Sequence, residues 1–399
     1  MKTLTLEKDY SIKLSSKIVD YIYPDYVFIP MYDGYKLKVK NNELVKKEQV
    51  LLINDMNVGI YSPISGRIVG AKECLLGSGI TQKCIVIEND FKEKLESRTT
   101  MRKNLKQISK NNFYEILERK GTLNANDPKE LLVNLFKDEF DKIVVNGIED
   151  EPYIATKLFV LQQNADEILE TLSLLAKIFQ TNENILVLKN NDRENVEKYS
   201  NILGTYPEIY LNVVPDVYPI SSKELLLNYL NMNTNKTLLL TPENILAIYN
   251  TLKKNKMITE KYITITGNAI ENPIVVNAKL GSSIKKIIDE HINYLNNDEV
   301  VYVINGLMQG VELSIDDLIV TEDINGVIID YKKEYKEYDC ISCGKCRDVC
   351  PVNIDPKLCF VAKKHNSDVN RCINCGLCTY ICPAYINFKN RIKEIKNEE

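Results

Sequence analysis

Eight cysteines near the carboxyl end of the chain stand at two sets of repeated intervals. Each set has three cysteines spaced three residues apart, a fourth cysteine four residues later, and a proline directly after it. The two sets are Cys340, Cys343, Cys346 and Cys350 before Pro351, and Cys372, Cys375, Cys378 and Cys382 before Pro383. At this spacing one loop can bind three corners of an iron–sulfur cubane, while the fourth cysteine is carried toward a second cluster.

This arrangement is the pattern of bacterial two-cluster ferredoxins, and it predicts two [4Fe–4S] clusters whose fourth ligands are exchanged. The predicted ligands of cluster 1 are Cys340, Cys343, Cys346 and Cys382, and those of cluster 2 are Cys372, Cys375, Cys378 and Cys350. Gly344 and Gly376 allow backbone amides to approach the cluster sulfurs, because glycine has no side chain.

Zinc and disulfides are the alternatives for so many cysteines. Structural zinc sites normally use two pairs of ligands separated by a longer spacer, which fits a third and a fourth cysteine at these intervals poorly. Disulfides need an oxidising compartment, and the sequence shows no export signal. The remaining cysteines, Cys74, Cys84 and Cys359, are predicted to be buried or idle thiols.

The composition describes a soluble protein of several domains. With 399 residues, the chain is expected to form two to four domains. A formal net charge of −4 argues against nucleic-acid binding, because there is no basic excess to neutralise phosphates. No apolar run reaches the length of a membrane helix, and Met1–Thr3 is not followed by the apolar core of a leader. We therefore expect a cytoplasmic protein, or one held on the cytoplasmic membrane by a partner complex.

The elements that must position the cysteines follow from apolar periodicity. Short apolar runs separated by turn residues over 26–89 predict a small all-β unit. Strands alternate with amphipathic helices over 127–255, which predicts a parallel sheet with covering helices. Strands return between 262 and 320 around one helix, as in an α+β unit, before a charged linker at 331–338. A charge-rich tail from Lys389 is expected to form a frayed helix.

The run Tyr61–Val69 resembles a strand and turn of a barrel-sandwich hybrid, the fold of biotinyl and lipoyl carriers. Those carriers bear a lysine at a hairpin tip, whereas the nearby upstream turn here is Asn54-Asp55-Met56-Asn57. Without the lysine no attachment point is evident. We therefore expect a docking or structural unit rather than a swinging arm.

Together these parts resemble the C subunit of the Rnf electron-transport complex, including its relative associated with proline reductase in anaerobes. The resemblance covers nearly the whole chain and implies an α/β multidomain fold in the family's order. The implied domains are a barrel-sandwich hybrid (1–95), a Rossmann-like flavin-type α/β domain (96–255), an SLBB β-grasp domain (256–330) and a dicluster ferredoxin-type α+β domain (331–399).

Four phrases carry the resemblance besides the cysteines. They are Asn146–Tyr153, which looks like the family's Asn-Gly-x-Glu-x-Glu-Pro-Tyr, Val217–Pro219 with Lys223–Leu225, Thr264–Gly267 with Pro273 and Gly281, and Asn305–Gly310. The first phrase implies Asn146, Glu149 and Glu151 as candidate contacts to a flavin or to NADH. The other reading of this acidic segment is a turn at a strand end that caps the next helix.

One departure from the family pattern bears on the cofactors. Flavin-binding relatives carry a glycine-rich loop whose backbone amides hold the FMN phosphate. The corresponding stretch, Lys120–Lys129, has one glycine and adds a carboxylate at Asp127, which would repel a phosphate. A phosphate site without its amides loses most of its binding energy, so FMN is not expected.

The sequence therefore supports an electron-transfer subunit of an oxidoreductase. Two [4Fe–4S] clusters would relay electrons between a redox donor and a partner reductase or membrane complex, and no catalytic residue is assigned. The alternative is an FMN-dependent NADH oxidoreductase subunit that splits a hydride into two single electrons and feeds the clusters.

Overall fold

The computed structural model describes residues 18–55, 58–96, 101, 104–125, 127–333, 336–362 and 367–397. The start of the chain, on which the prediction of no leader rests, lies outside these residues. So do residues 56 and 57, in the turn that lacks a carrier lysine. The described chain begins with β1 (Ile18–Tyr21), whose partner strand follows more than 250 residues later.

The N-terminal sheets are antiparallel and enclose a small apolar core. Their strands are β2 (Tyr26–Pro30), β3 (Tyr35–Leu37), β4 (Leu44–Val45), β5 (Val50–Asn54), β6 (Gly59–Tyr61), β7 (Gly66–Leu75) and β8 (Thr81–Asn89). One sheet has the order β2-β8-β7-β4 and the other β3-β5-β6. Val27, Leu51, Ile64 and Ile87 fill the space between them, because alternate side chains of each strand point inward.

The parallel sheet has helices on both faces, as the alternation of apolar runs predicts. Its region comprises α1 (Lys110–Lys120), β9 (Leu123–Asn124), β10 (Asp127–Leu131), β11 (Lys142–Asn146), α2 (Thr156–Gln163), α3 (Ala165–Phe179), β12 (Glu183–Lys189), α4 (Arg193–Ile202), β13 (Ile209–Val214), α5 (Lys223–Tyr229), β14 (Thr237–Leu240) and α6 (Pro242–Leu252). The order is β13-β12-β11-β14, and every pair is parallel. β9 and β10 form a separate hairpin.

The mixed sheet joins the first described strand to a later part of the chain. Its other elements are β15 (Glu260–Thr266), β16 (Ile274–Lys279), α7 (Ile284–His291), β17 (Val300–Ile304), β18 (Val311–Glu312) and β19 (Gly326–Tyr331). The order is β1-β16-β15-β19-β17-β18. β1 therefore lies in this sheet, although the sequence groups residues 1–95 into one N-terminal domain.

The C-terminal segment, residues 336–397, consists of short helices joined by turns. They are α8 (Lys345–Val349), α9 (Pro356–Ala362), α10 (Ser367–Arg371), α11 (Leu377–Tyr380) and α12 (Phe388–Asn397). The described residues of this segment contain no strand, so the α+β character predicted for it is corrected to helical. Short helices and the turns around the cysteines take up the described residues, and the N–H of Asn374 donates to the sulfur of Cys372.

Hydrogen bonds between backbone groups and between side chains join the N-terminal, parallel and mixed sheets to one another. The N–H of Phe28 donates to the carbonyl of Gly281 at 2.8 Å, and a side chain at Gly281 would meet that part of β2. The N–H of Leu75 donates to the carbonyl of Asp317 at 2.8 Å. Between the parallel and mixed sheets, the hydroxyls of Thr156 and Thr264 lie 2.9 Å apart and are buried.

Candidate metal centres and the acidic segment

The first cysteine site is an open cavity at the surface of the C-terminal segment. It has a volume of about 200 Å³, and its sulfur-bearing residues are Cys340, Cys343, Cys346 and Cys382. Cys340 and Cys343 are exposed to solvent. Lys345, Arg347 and Lys357 also line it, so that a cluster bound there would have cations at its rim.

The second cysteine site is narrower and lies deeper. Its sulfur-bearing residues are Cys350, Cys372, Cys375 and Cys378, and its volume is about 20 Å³. By this measure a water molecule needs roughly 10–15 Å³, so a four-iron cluster needs more room than the thiols leave here. The donor set of four thiols nevertheless matches the ligands that a cubane takes.

Short helices bring the two sets of cysteines together. α8 carries Cys346 at its second position and ends before Cys350, which lies in the second site. α11 carries Cys378 at its second position, and Cys382 follows it into the first site. The structure thus places each fourth cysteine beside the three cysteines of the other motif.

The two cysteine loops share one backbone conformation. Positive φ angles recur at matched positions, with 57° at Ser342 and 54° at Asn374, and 76° at Gly344 and 79° at Gly376. A glycine with positive φ, two residues before the third cysteine, turns the loop into the following helix. The loop bends back around the cavity for this reason.

Backbone N–H groups point at the cysteine sulfurs. The N–H of Asn374 donates to the sulfur of Cys372 at 3.4 Å. Burial raises the pKa of Cys375 and of Cys378 to about 12 each, although the following N–H groups act in the opposite direction. Bare thiolates are thus costly here, and bound iron would supply the positive charge that offsets this cost.

Within the described ranges, no three His, Cys, Asp or Glu side chains converge where one ion would bind them all. A cubane takes one cysteine on each of four irons, so its ligands surround a cavity rather than a point.

The second cysteine site is covered by the rest of the protein. The hydroxyl of Tyr218, which is fully buried, donates to the carbonyl of Cys375 at 2.5 Å. A side-chain carbon at Gly376 would lie 2.2 Å from the carbonyl oxygen of Met308, so glycine is required there by contact as well as by its positive φ. Lys389 donates to the carbonyls of Met308 and Gly310 at 3.1 and 2.9 Å.

Sequence reasoning did not assign Tyr218, Met308 or Lys389 to the cluster sites. Tyr218 and Met308 lie in phrases that resemble the Rnf C-subunit family, and this resemblance is the signal that singles them out. Their contacts link positions up to 157 residues apart. No local periodicity reports such contacts.

The candidate flavin contacts are engaged in hydrogen bonds within the protein. Asn146 donates to the carbonyl of Ser221 at 2.8 Å. Glu149 accepts from the N–H of Lys157, near the start of α2, at 3.4 Å. Glu151 accepts from the N–H groups of Met308 and Gln309 at 3.0 and 2.9 Å. This segment therefore connects the parallel sheet to the loop that covers the second cysteine site.

The pKa values of Glu149 and Glu151 are raised above the usual range of a glutamate. Burial raises the pKa of the Glu149 carboxyl to about 7, although the Lys157 ammonium opposes the shift. Burial likewise raises the pKa of Glu151 to about 7, against the two N–H groups that it accepts from. Both carboxyls therefore change protonation near neutral pH.

A buried ion pair lies at the carboxyl ends of the parallel strands. The Lys189 ammonium is 2.6 Å from a carboxylate oxygen of Asp150 and 3.1 Å from one of Asp216. The N–H of Ser221 donates to Asp150 at 2.6 Å. In open parallel sheets, nucleotides bind at the carboxyl ends of the strands. In this protein the residues at that edge contact one another.

The described part of Lys120–Lys129 forms the end of a helix and a hairpin. Gly121, with φ of 57°, ends α1, and the chain continues into the β9–β10 hairpin. Residue 126 of this stretch lies outside the described residues. The backbone described here therefore does not provide the row of N–H groups that an FMN phosphate needs.

The other cysteines are buried. Cys74 and Cys84 lie on paired strands β7 and β8 against Leu76 and Ile319. Cys359 lies in the core of the C-terminal segment, where burial raises its pKa to about 11. Their predicted burial is confirmed.

The fold and the two four-cysteine sites define a mixed α/β protein with a C-terminal dicluster segment. Residues 332–395 match the family model described as a 4Fe-4S dicluster domain. Residues 125–253 match the family model described as the Nuo51 FMN-binding domain.

Curated relatives match over most of the chain, and each is named as the C subunit in an ion-translocating complex. The C subunit of the proton-translocating ferredoxin:NAD(+) oxidoreductase complex from Clostridium ljungdahlii is 23% identical over 84% of this chain and 78% of the relative. The C subunit of the Na(+)-translocating complex from Acetobacterium woodii is 22% identical over 84% and 80%. The C subunit of the ion-translocating oxidoreductase complex from Haemophilus influenzae strain Rd is 24% identical over 81% of this chain, which spans only 42% of that relative. These relatives confirm the predicted resemblance to the Rnf C-subunit family.

Among solved structures, the NAD+-reducing [NiFe]-hydrogenase in its air-oxidised state matches with a TM-score of 0.47 and 10% identity. The match covers 72% of this chain and 54% of the hydrogenase chain. The H2-reduced state of such a hydrogenase gives a TM-score of 0.48 at 9% identity over 74% and 61%.

Proposed function

We propose that this chain is an iron–sulfur electron-transfer protein of the Rnf C-subunit type. It relays electrons one at a time through two [4Fe–4S] clusters, between a redox donor and a partner reductase or membrane complex. The observation that carries the proposal is the sorting of eight cysteines into two groups of four, each group completed by a cysteine from the other motif.

The first group, Cys340, Cys343, Cys346 and Cys382, would hold cluster 1, and the second group, Cys372, Cys375, Cys378 and Cys350, cluster 2. When bound, such clusters supply reversible one-electron redox chemistry. The surrounding N–H groups favour the anionic form of the sulfurs. Tyr218 and Met308 keep solvent from the second site, and burial and hydrogen bonding of this kind are what tune cluster potentials.

The domain organisation of the proposal follows the resemblance. The N-terminal sheets would be a barrel-sandwich hybrid within residues 1–95, and the parallel sheet a Rossmann-like domain within 96–255. The mixed sheet would be an SLBB β-grasp domain within 256–330, followed by the dicluster domain within 331–399. The two stacked antiparallel sheets support the first of these names, and the parallel order β13-β12-β11-β14 supports the second.

A second candidate function is an FMN-dependent NADH oxidoreductase subunit that feeds the clusters. The match of residues 125–253 to an FMN-binding domain favours it. The hairpin at β9–β10 and the internal contacts of Asn146, Glu149 and Glu151 do not fit an FMN phosphate and ring. We therefore assign the redox chemistry to the cysteines and give the acidic segment a positioning role.

The partners in this proposal are redox proteins. The relatives named above belong to ion-translocating complexes, which supports a membrane complex as one partner, and a soluble reductase such as proline reductase is the other. No helix in the described part of the chain is long and apolar enough to cross a membrane. Attachment to a membrane, on its cytoplasmic side, would then be made through a partner.

The iron and flavin content of anaerobically purified protein tests the proposal. We expect brown protein with about eight irons per chain, the content of two cubanes, and no FMN. Stoichiometric FMN together with NADH oxidation would support the second candidate instead. Colourless protein with bound zinc would overturn both functions.

A further inference from the structure

The two cysteine loops have the same backbone course but opposite exposure. In the second loop Cys375, Gly376 and Leu377 are buried. In the first loop the matching residues Cys343 and Lys345 are exposed, and the side chain of Ile341 is 68% exposed.

Close packing against the second loop shows what this surface can accommodate. Leu377, with no solvent exposure, packs with Tyr218 and Met308. Gly376 lies directly beneath the carbonyl of Met308. A protein loop thus reaches within van der Waals contact of this cysteine loop, and the first loop offers a similar surface to solvent.

The first loop differs from the second by two cations. Lys345 stands where the second loop has Leu377, and Arg347 where it has Thr379. Both are exposed at the rim of the first cavity. Lys357 lines the same cavity, and its ammonium donates to the hydroxyl of Ser342 at 2.9 Å.

The carboxylates near this rim offset part of its positive charge, and the net positive charge belongs to the C-terminal segment as a whole. Asp355, which also lines the cavity, accepts from the N–H groups at the start of α9 and acts there as a helix cap. Asp348 lies 3.6 Å from Arg347, and Asp339 precedes Cys340. Over residues 331–399 there are thirteen Lys and Arg against nine Asp and Glu, in a chain whose formal charge is −4.

We propose that the first cysteine loop, residues 340–347, is the docking surface for an electron-transfer protein with an acidic docking face. This inference rests on the proposed function. Ile341, with the exposed side chains of Tyr338 and Leu358, gives the surface an apolar centre. The cations at its rim would steer an acidic partner, and an apolar centre with a charged rim is the usual build of a transient interface.

Each productive encounter transfers one electron. A reduced partner loses the electron and the first cysteine site, loaded with its cluster, gains it. No covalent bond forms or breaks, and no proton needs to move. The exposure of Cys340 and Cys343 keeps the transfer distance short, whereas the second site is shielded by Tyr218 and Met308.

Stopped-flow reduction of the anaerobic holoprotein tests the surface, with a purified acidic [2Fe–2S] ferredoxin in its reduced form as the probe. For the wild type we expect a second-order rate constant that falls as salt is added. For the double variant Lys345→Glu/Arg347→Glu we expect a rate constant lower by about 10-fold or more at low salt, with little salt dependence left. Lys345→Gln should give an intermediate loss.

The matched control is Lys333→Glu/Lys393→Glu, which makes the same change in charge on exposed residues that do not line the first cavity. Its rate constant should stay within about twofold of the wild type, because neither residue lines the first cavity and exposed charges outside the contact are partly screened. One-electron-reduced methyl viologen, a small donor, should reduce all variants to the same final extent.

Equal losses in both double variants, or no loss in the first, would overturn the docking surface while leaving the proposed function intact. A wild-type dimer in sedimentation that Lys345→Glu/Arg347→Glu dissociates would assign the surface to a second copy and also overturn it. Protein without iron, or not reduced by methyl viologen, would instead overturn the proposed function.

Discussion

At the scale of residues, the cysteines divide between an exposed and a buried setting. Cys340 and Cys343 are open to solvent, whereas Cys375 is buried under Tyr218 and Met308. Burial and hydrogen bonding are the means by which a protein adjusts a cluster. The two sites therefore differ in access and in surroundings although their cysteine spacing is the same.

Cys350→Ala tests the exchange of the fourth ligands. We expect the variant to lose the cluster held by Cys372, Cys375 and Cys378, because Cys350 lies in their cavity. Iron content should fall to about four per chain, one cubane, and the remaining EPR signal should be that of the exposed site. Cys359→Ala, which removes a buried thiol outside both sets, is the control and should keep both clusters. Loss of the exposed cluster instead would contradict the assignment.

Tyr218→Phe removes one hydrogen bond to the carbonyl of Cys375. We expect a loss of about 0.5–1.5 kcal/mol in stability, as for other buried hydrogen bonds. The EPR signal and the reduction potential of the second site should also change. Tyr199→Phe is matched, since that buried hydroxyl donates to the carbonyl of Leu161 at 3.0 Å, far along the chain from the cysteines. A change of signal in both variants, or in neither, would rule out a specific effect of Tyr218.

The sequence predicted the residues of the cysteine sites from local spacing alone. It could not predict Tyr218, Met308 and Lys389, because they reach the second site through contacts between distant parts of the chain. It also left two readings of Glu149 and Glu151. The structure shows both carboxylates accepting internal N–H groups, and whether either also contacts a flavin or NADH stays a prediction.

At the scale of elements, short helices and loops position the cysteines and the residues that cover them. α8 and α11 each follow a glycine with positive φ and carry a cysteine at their second position. The acidic segment after β11 reaches both the start of α2 and the loop at residues 306–310. These contacts connect the parallel sheet to the loop that covers the second cysteine site.

Glu149→Gln tests the electrostatics of the α2 start. The pKa of Glu149 is about 7 in the folded protein, above the ordinary value of roughly 4.3. The folded state therefore keeps a proton that the unfolded state releases, and stability falls as pH rises through this window. We expect the Gln variant to weaken that fall between about pH 4.3 and 7, measured as thermal midpoints. Glu118→Gln, at an exposed position of α1, is the control, and an unchanged slope in Glu149→Gln would contradict the pKa.

Most strands and helices of the parallel sheet were predictable, because long apolar runs and amphipathic periods mark them. The structure confirms the alternation expected over 127–255, for example at β11 and α3. β1 could not be placed, because four residues carry no signal for a partner at β16. The α+β character expected for the C-terminal segment was wrong for its described residues, which form five short helices and no strand.

At the scale of the whole molecule, the C-terminal segment lies against the parallel and mixed sheets with its second site inward and its first site outward. The first site is thus the one that is open to solvent. The second site faces the loop at residues 306–310 and, through that loop, the Glu151 carboxyl.

The difference in access predicts a difference in lability. In Cys350→Ala, which keeps the exposed cluster, we expect faster bleaching by an iron chelator than in Cys382→Ala, which keeps the covered one. Tyr218 and Met308 exclude the chelator from the second site, whereas Cys340 is open to it. Absorbance at the cluster band measures both rates, and equal rates would show that the cover has no protective effect.

Potentiometric reduction of the wild-type holoprotein, followed by EPR, tests the central claim most directly. Two clusters in one small segment should take up two electrons per chain in one-electron steps, and the fully reduced protein should show the broadened signal of two interacting spins. No flavin radical should appear. Uptake of a single electron, of none, or of two electrons together at a flavin would contradict the account.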